Sequence, residues 1–544
     1  MSPDPGGKLA ETPDMTTHIL SNAHIYTLDP AHPRAWGMII ENGIIKELLT
    51  DDETDLGPGD ANREDLEGKT VLPGFTDAHI HLKQYALNLR KIDCETDTKR
   101  ECLQRVADKV KETAPGTWIL GHGWDQNRWE DGYGSREDLD EVAPQHPVYL
   151  TAKSLHAAWV NSAALASAQV NKHTPDPQGG RLSRDRKGRL TGLLFEKALS
   201  LVADQIPQPD FHERTRAMRD AQTSLWEVGL TGAHDFDRHL SFSALQELVN
   251  NNELKLRVMI NINIQKLDSV IEIGVRSGFG NPMLQIGGIK AFADGALGPQ
   301  TAAMLAPYQG KKDDCGVLLL TEDEIVQKGI RAARHGLSMA IHAIGDRANR
   351  EVLNAYQRIR AYEKSHHLPL LRHRIEHVQV LDPADCDRLS KMDIIASMQP
   401  LHATSDMVTA TRYWGERTRY AYAWRTLLDH QTPLAFGSDA PVEPPNPFLG
   451  LHAAVTRQNP DGEPGPEGWI PEQRISLIEA IRAYTSGAAY AAHQEDRVGK
   501  LRPGCWADLI VLERDPFSIP AQELTTTRPI ATMVNGEWVW RRET

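Results

Sequence analysis

Apolar residues recur along this chain with two different periods. From Phe211 onward, short apolar runs alternate with amphipathic stretches of helical spacing. The short runs predict strands at 230–234, 256–262, 284–292, 337–342, 374–378, 394–398 and 434–437, and the run at 71–78 makes an eighth. Residues 322–334 and 347–363 carry the helical period between some of them. Eight strands alternating with helices is the pattern of a parallel (β/α)8 TIM barrel of the α/β class.

The two ends of the chain read differently. Residues 18–46 hold short β-type runs with a hairpin turn at Glu41-Asn42-Gly43, followed by a polar loop over 51–68. Near the other end, 507–512 and 531–540 read as strands, the second with a turn at Asn535-Gly536. Termini often lie close together, so 18–70 and 498–544 are expected to build one small β-sandwich. Residues 90–209 mix a helix at 98–112, strands at 118–121 and 148–150, a helix at 157–168 and a turn-rich stretch at 175–188. They read as an α/β domain inserted after the first barrel strand, leaving 71–89 and 210–497 to the barrel.

Composition narrows the function. The 544 residues include 74 acidic and 60 basic ones, a net charge of −14, with no basic stripe, so nucleic acid is not an expected partner. Cys94, Cys102, Cys315, Cys386 and Cys505 are scattered and form no CxxC pair, which argues against a disulfide framework or thiolate zinc site and for a reducing, cytoplasmic location. Residues 1–17 lack the apolar core of a signal peptide and read as a disordered tail. No apolar run approaches the ~18 residues of a membrane span. A small-molecule substrate is expected, with a homodimer left open.

The stretch VLPGFTDAHIHL, 71–82, carries the chemistry. His79 and His81 are two apart, so on a strand both imidazoles point the same way. Barrel sites lie at the C-terminal strand ends. There the other predicted strands place Lys290 (GGIKAFADGALG), His342 (AIHAIGD), His377 (RIEHV) and Asp439 (FGSDAP). Taken singly, the histidines could be core residues and Asp439 a helix cap, while Lys290 in an apolar strand needs a partner, with Asp294 the candidate. Together at matched strand ends, the histidines and the aspartate suit zinc or another divalent first-row ion.

These motifs, with IHAIGDRAN, RIEHVQV, ASMQPLHATSD, FGSDAPVEPPNPFLGLHAAVTR and GKLRPGCWADLIVL, resemble the amidohydrolase superfamily. Within it they look like the YtcJ-like branch, which includes N-substituted formamide deformylases. HPVYL and HAAWVNSAAL in the insertion match too, so the resemblance spans about 17–540. It implies one or two divalent metal ions, zinc first among them. His79 and His81 would bind the first, and His342 and His377 the second. Lys290, N-carboxylated, would bridge both, and without that modification the site would hold one ion. Asp439 would bind the first metal and take the proton. The implied reaction is hydrolysis of an amide-type C–N bond by metal-activated hydroxide, with His377 or His342 assisting the oxyanion.

A second tier of residues is more open. Asp346 and Arg347 either orient His342 or start the next helix. Gln399 and His402 end the seventh strand and face either substrate or solvent. Trp124 and His156, in the insertion, and Asp294 are candidate substrate contacts. A lyase or isomerase on the same barrel is the rival reading, and a non-catalytic metal-binding protein is another. No GxSxG occurs, and His212-Glu213 is followed by Arg216 where a zincin needs histidine.

Overall fold

The computed structural model describes residues 17–50, 61–126, 128–153 and 156–543. The expected N-terminal tail lies outside them except for Thr17. The chain divides into two compact units, Met1–Tyr85 with Met218–Thr544, and Ala86–Ala217.

The larger unit holds the eight expected strands: β1 (Phe75–Ile80), β2 (Leu230–Asp235), β3 (Arg257–Asn263), β4 (Leu284–Phe292), β5 (Met339–Ala343), β6 (Arg374–His377), β7 (Ile395–Met398) and β8 (Leu434–Phe436). They neighbour one another in sequence order, every ladder parallel. Just beyond β8, Asp439 N–H donates to the His79 carbonyl at 2.7 Å and His81 N–H to the Ala440 carbonyl at 2.9 Å, which ties the eighth strand's continuation to the first. Strands buried on both faces become continuous apolar runs, and β4, buried at every position but Phe292, is one. The helices Glu322–Arg334 and Asp346–Ser365 flank β5.

The run at 71–78 is not one strand. Asn62–Pro73 belongs to a different sheet, and β1 starts at Phe75. Gly74 lies between them, and a Cβ there would stand 2.3 Å from the Thr231 side chain, so only glycine lets the chain pass. The loop expected at 51–68 therefore gives way to a strand from Asn62, and 51–60 lie outside the described residues. Asn62–Pro73 pairs with Thr17–Tyr26 and with Leu509–Leu512, so both chain ends contribute to one eight-stranded sheet. Its two hairpin turns place Asn42 and Gly43 at φ 50° and 79°, and Asn535 and Gly536 at 53° and 77°.

The unit Ala86–Ala217 has a six-stranded sheet and its own core. Its helix Lys99–Glu112 is capped by Thr98. The helix expected at 157–168 is instead the strand Ala157–Val160 followed by the helix Ser162–Ser167. The Asn161 side chain caps that helix by accepting from Ala164 N–H, which stops the helix from extending back. The turn-rich stretch also contains a strand, Gly180–Arg184. No described helix is long and apolar enough to cross a membrane.

Candidate metal centre

At the C-terminal ends of the barrel strands a cavity of about 320 Å3 is lined by His79, His81, Lys290, His342, His377 and Asp439, with His402 beside them. Asp439 is the hub. Its Oδ1 lies 3.5 Å from His79 Nε2 and 3.3 Å from His81 Nε2, and its Oδ2 lies 3.9 Å from His402 Nε2. The His377 ring centre is 4.9 Å from that of His79 and 4.5 Å from that of His342. His377 and Asp439 hold φ at +77° and +61°, left-handed values that cost energy for side chains of this kind. The ladder's end holds them there through Val378 N–H to Ala343 at 3.1 Å and Asp439 N–H to His79.

The partners of each imidazole fix which nitrogen carries the proton. Glu376, fully buried, receives two hydrogen bonds from Arg374, at 2.5 and 3.1 Å, which hold it as a carboxylate. Burial works against that charge, yet Arg374 and then His79 keep the Glu376 carboxyl well below its ordinary range. A carboxylate only accepts, so His79 Nδ1, 2.6 Å away, is the protonated nitrogen and Nε2 presents a lone pair. By the same logic His342 donates from Nε2 to the Gly295 carbonyl at 2.8 Å. His377 donates from Nδ1 to Gln399 Oε1, also at 2.8 Å. His81 Nδ1 faces Asp237 at 3.6 Å. His402 differs, because its Nδ1 is met by the Gln379 amide nitrogen at 3.3 Å. With the Gln379 amide in this orientation that nitrogen donates, which puts the His402 proton on Nε2, facing the cavity. His377, His402 and Asp439 are close enough to share an ion, and the Gln379 contact in this orientation favours His402 as a donor instead.

Electrostatics agree with lone-pair donors at His79, His342 and His377, whereas His81 holds its proton more tightly and would have to give it up to bind an ion. Burial, then the Lys290 charge, pulls His79 down to about 4 and His342 down to about 3. Burial and the neighbouring rings of His342 and His79 hold His377 well below its ordinary value. Burial also pulls on His81, but Asp237 and Asp439 outweigh it and lift that imidazole to about 9. Asp439 stays ionised, well below the carboxylate range, because its histidine neighbours overcome the cost of burial. Lys290 is 3% exposed, and its Nζ has no hydrogen-bond partner among the described residues, lying instead 4.6 Å from the Phe236 ring and 4.9 Å from the Phe292 ring. Burial pulls its amine down to about 8. A buried amine without a partner beside a carboxylate and several imidazole lone pairs is a donor set that fits a divalent cation.

Several expected contacts lie elsewhere. Asp294 is not the partner of Lys290, because its carboxylate takes N–H donors from Ala303, Ile344 and Gly345 at 2.8–3.0 Å and so pins the β4 loop to the end of β5. Asp346 accepts from Leu305 N–H at 2.8 Å and begins the helix Asp346–Ser365, with Arg347 facing Glu351; neither holds His342. Gln399 stands behind His377. Trp124 is 1% exposed within the core of the smaller unit and donates from its indole to the Leu150 carbonyl, so its ring is taken up by packing. In the same unit, His156 Nδ1 lies 3.0 Å from Glu196.

Three supporting residues were missed in the sequence: Glu376, Arg374 and Asp77. Asp77 accepts the backbone N–H of His79 and of Ser438, both at 3.0 Å, and the Ser438 hydroxyl, fastening the ends of β1 and β8 together. Burial pushes its carboxyl up to about 7. The usable signal was spacing, because Asp77 is two before His79 and Arg374 two before Glu376, each pair on one strand face.

The chain matches the model of the amidohydrolase family over residues 64–540. It is 33% identical to the YtcJ protein of Bacillus subtilis over 530 residues, 95% of this chain and 98% of that protein. It is 27% identical to the N-substituted formamide deformylase of Arthrobacter pascens, over 95% of this chain and 97% of that one. The crystal structure of an uncharacterized metal-dependent hydrolase from Pyrococcus furiosus superposes with a TM-score of 0.76 at 29% identity, covering 92% of this chain and 100% of that chain. These likenesses and the donor set support a hydrolase that uses a divalent metal. With the barrel, the cavity and a match over most of its length, the chain belongs to the amidohydrolase family.

Proposed function

We propose that this protein hydrolyses an amide-type C–N bond, other than a peptide bond, in a small molecule. The observation that carries the reading is the set of imidazole lone pairs, fixed by Glu376, Gly295 and Gln399, gathered with an ionised Asp439 around one cavity. His79, His81 and Asp439 would hold one divalent ion, with His342 and His377 holding a second and Lys290 joining the two. Zinc suits nitrogen and oxygen donors of this kind. Bound there, the ion supplies hydroxide at neutral pH and an electrophile for the carbonyl oxygen.

The chain's own groups do the rest. Lys290 would serve both ion sites once its neutral amine adds to carbon dioxide. An N–C bond forms, one C=O electron pair moves to oxygen, and the amine proton leaves to solvent. Asp439 accepts the proton of the attacking water. It later delivers that proton to the departing nitrogen as the C–N electron pair returns to it, acting as general base and then general acid. His402 Nε2–H is placed to donate to the carbonyl oxygen as negative charge develops on it. Cytoplasmic location and a small-molecule substrate complete the reading.

The test is Asp439→Asn with metal analysis and a panel of N-formyl, N-acetyl and lactam substrates. Amine release by the wild type, and its loss in a variant that keeps most of its metal, is the expected outcome. Wild-type turnover in that variant would remove Asp439 from the proton path.

A further inference from the structure

The upper part of the same cavity carries a charge pattern that the hydrolytic chemistry does not use. Asp406 and Glu443 both line it, and among the described residues Lys290 is its only Lys or Arg. Neither carboxylate has a cationic partner within ion-pairing distance among the described residues. The Tyr422 hydroxyl donates to Asp406 at 2.7 Å, which leaves that carboxylate's charge uncompensated. Both charges bear on the Tyr422 phenol. Burial first, then Asp406, push it well above its ordinary value, while Arg457 opposes them and Glu443 adds a weaker push, so both carboxylates face one region.

Both acidic groups are reached from the reacting centre along the chain. His402 and Asp406 are four apart on the helix Pro400–Trp414, so they share a face and lie about 6 Å apart along its axis. Glu443 follows Asp439 by four residues. The same cavity lining includes apolar side chains, Phe292 at 41% and Val442 at 66% exposure together with Leu297. His402, 7% exposed, turns an Nε2 without a hydrogen-bond partner into the same space. Exposed apolar surface next to a buried donor without a partner marks a place for a ligand.

We propose that Asp406 and Glu443 select amides whose non-reacting end is an apolar stem tipped with a cation, such as a mono-acylated diamine, and exclude those ending in a carboxylate. The inference rests on the amide reading above and adds the substrate class. It carries no covalent step of its own. A chain of about four methylenes spans the distance set by one helical turn, at ~1.5 Å of rise per residue.

The experiment uses the N-formyl and N-acetyl derivatives of 1,4-diaminobutane, pentylamine and 5-aminopentanoate. These are matched in length and differ in the charge of one end. Zinc-loaded protein is assayed for kcat/KM and, separately, for binding by calorimetry. Wild type, Asp406→Asn, Glu443→Gln and the double variant are compared, with thermal melts to check folding. The expected cation-to-anion ratio is at least tenfold in the wild type, falls in each single variant and approaches one in the double variant. High salt lowers it as well. Equal handling of cation and anion, or a ratio untouched in the folded double variant, overturns the inference while leaving amide hydrolysis standing. Binding in the expected order without cleavage sinks the amide reading and keeps this one. No binding by any of the three sinks both.

Discussion

Glu376→Gln tests the idea that a carboxylate behind His79 prepares it as a ligand. The substitution removes one negative charge from a site with no exposure and leaves Arg374 facing a neutral amide. Breaking a buried ion pair costs ~3–5 kcal/mol. Arg374 keeps the Ala78 carbonyl and the Ser397 hydroxyl, both at 2.6 Å, and His234 at 2.9 Å, so the lower end, about 3 kcal/mol, is expected. The amide can present either oxygen or nitrogen to His79 Nδ1, so the tautomer is no longer fixed. Loss of such a partner weakens metal binding by ~10–100-fold. Zinc affinity measured by chelator competition is the assay, with Glu363→Gln as control. Glu363 is also a fully buried carboxylate, paired with Arg360 at 2.8 Å and His373 at 3.0 Å, but lines no part of the metal cavity. Both variants are expected to melt earlier, and only Glu376→Gln to lose zinc. Wild-type zinc affinity in a destabilised Glu376→Gln would refute the reasoning, because stability and tautomer control would then have separated.

Three further outcomes are expected. His402→Phe should lose ~10²–10³ in kcat while keeping its metal, and His402→Gln should recover much of it by restoring an N–H donor; metal lost in step with activity would make His402 a ligand instead. Gly437→Ala should melt earlier by the ~1–3 kcal/mol of an overpacked site and bind zinc less tightly, because the added Cβ would meet His79 N at 2.4 Å and Asp77 Oδ1 at 2.6 Å. A wild-type melting curve would show that the β1–β8 junction is slack. Burial raises the Glu363 carboxyl, but His373 and Arg360 outweigh it and hold it below 4.5 in the fold. Its contribution is therefore present above 4.5 and lost as pH falls through the folded value, so the stability gap between wild type and Glu363→Gln should narrow on acidification in denaturant titrations. A gap that widens would reverse the sign.

The barrel was legible because parallel strands buried on both faces leave unbroken apolar runs, and β4 is the clearest. The six proposed ligands were legible because chemistry-bearing residues sit at the ends of such runs. What the pattern hid has physical causes. Val71–Leu72 and Phe75 are all fully buried, but in different sheets, and an apolar run does not state which partner buries it. Ala157 and Ala158 have helical propensity, yet cross-strand pairing of Ala157 with Phe195 and of Ala158 with Leu194 and Thr151 overrides it. Trp124 read as a ligand contact because an aromatic in an insertion suits either role, and only packing tells them apart. Glu376 escaped notice because its carboxylate gains meaning through His79, 297 positions earlier, and Asp77 because part of its role lies in fastening Ser438, 361 positions later.

The junction at Gly74 has a consequence for synthesis. The strand leading into it is flanked by Leu509–Leu512, and Gly74 N–H donates to the Asp508 carbonyl at 2.9 Å. The histidines that would grip metal therefore hang from a sheet whose neighbouring strand, Leu509–Leu512, lies far downstream in the chain. A ribosome-held chain would expose every proposed ligand up to Asp439 well before the scaffold under His79 and His81 is finished. Chains truncated before residue 508 are therefore expected to hold metal poorly, because the sheet under His79 and His81 is then incomplete.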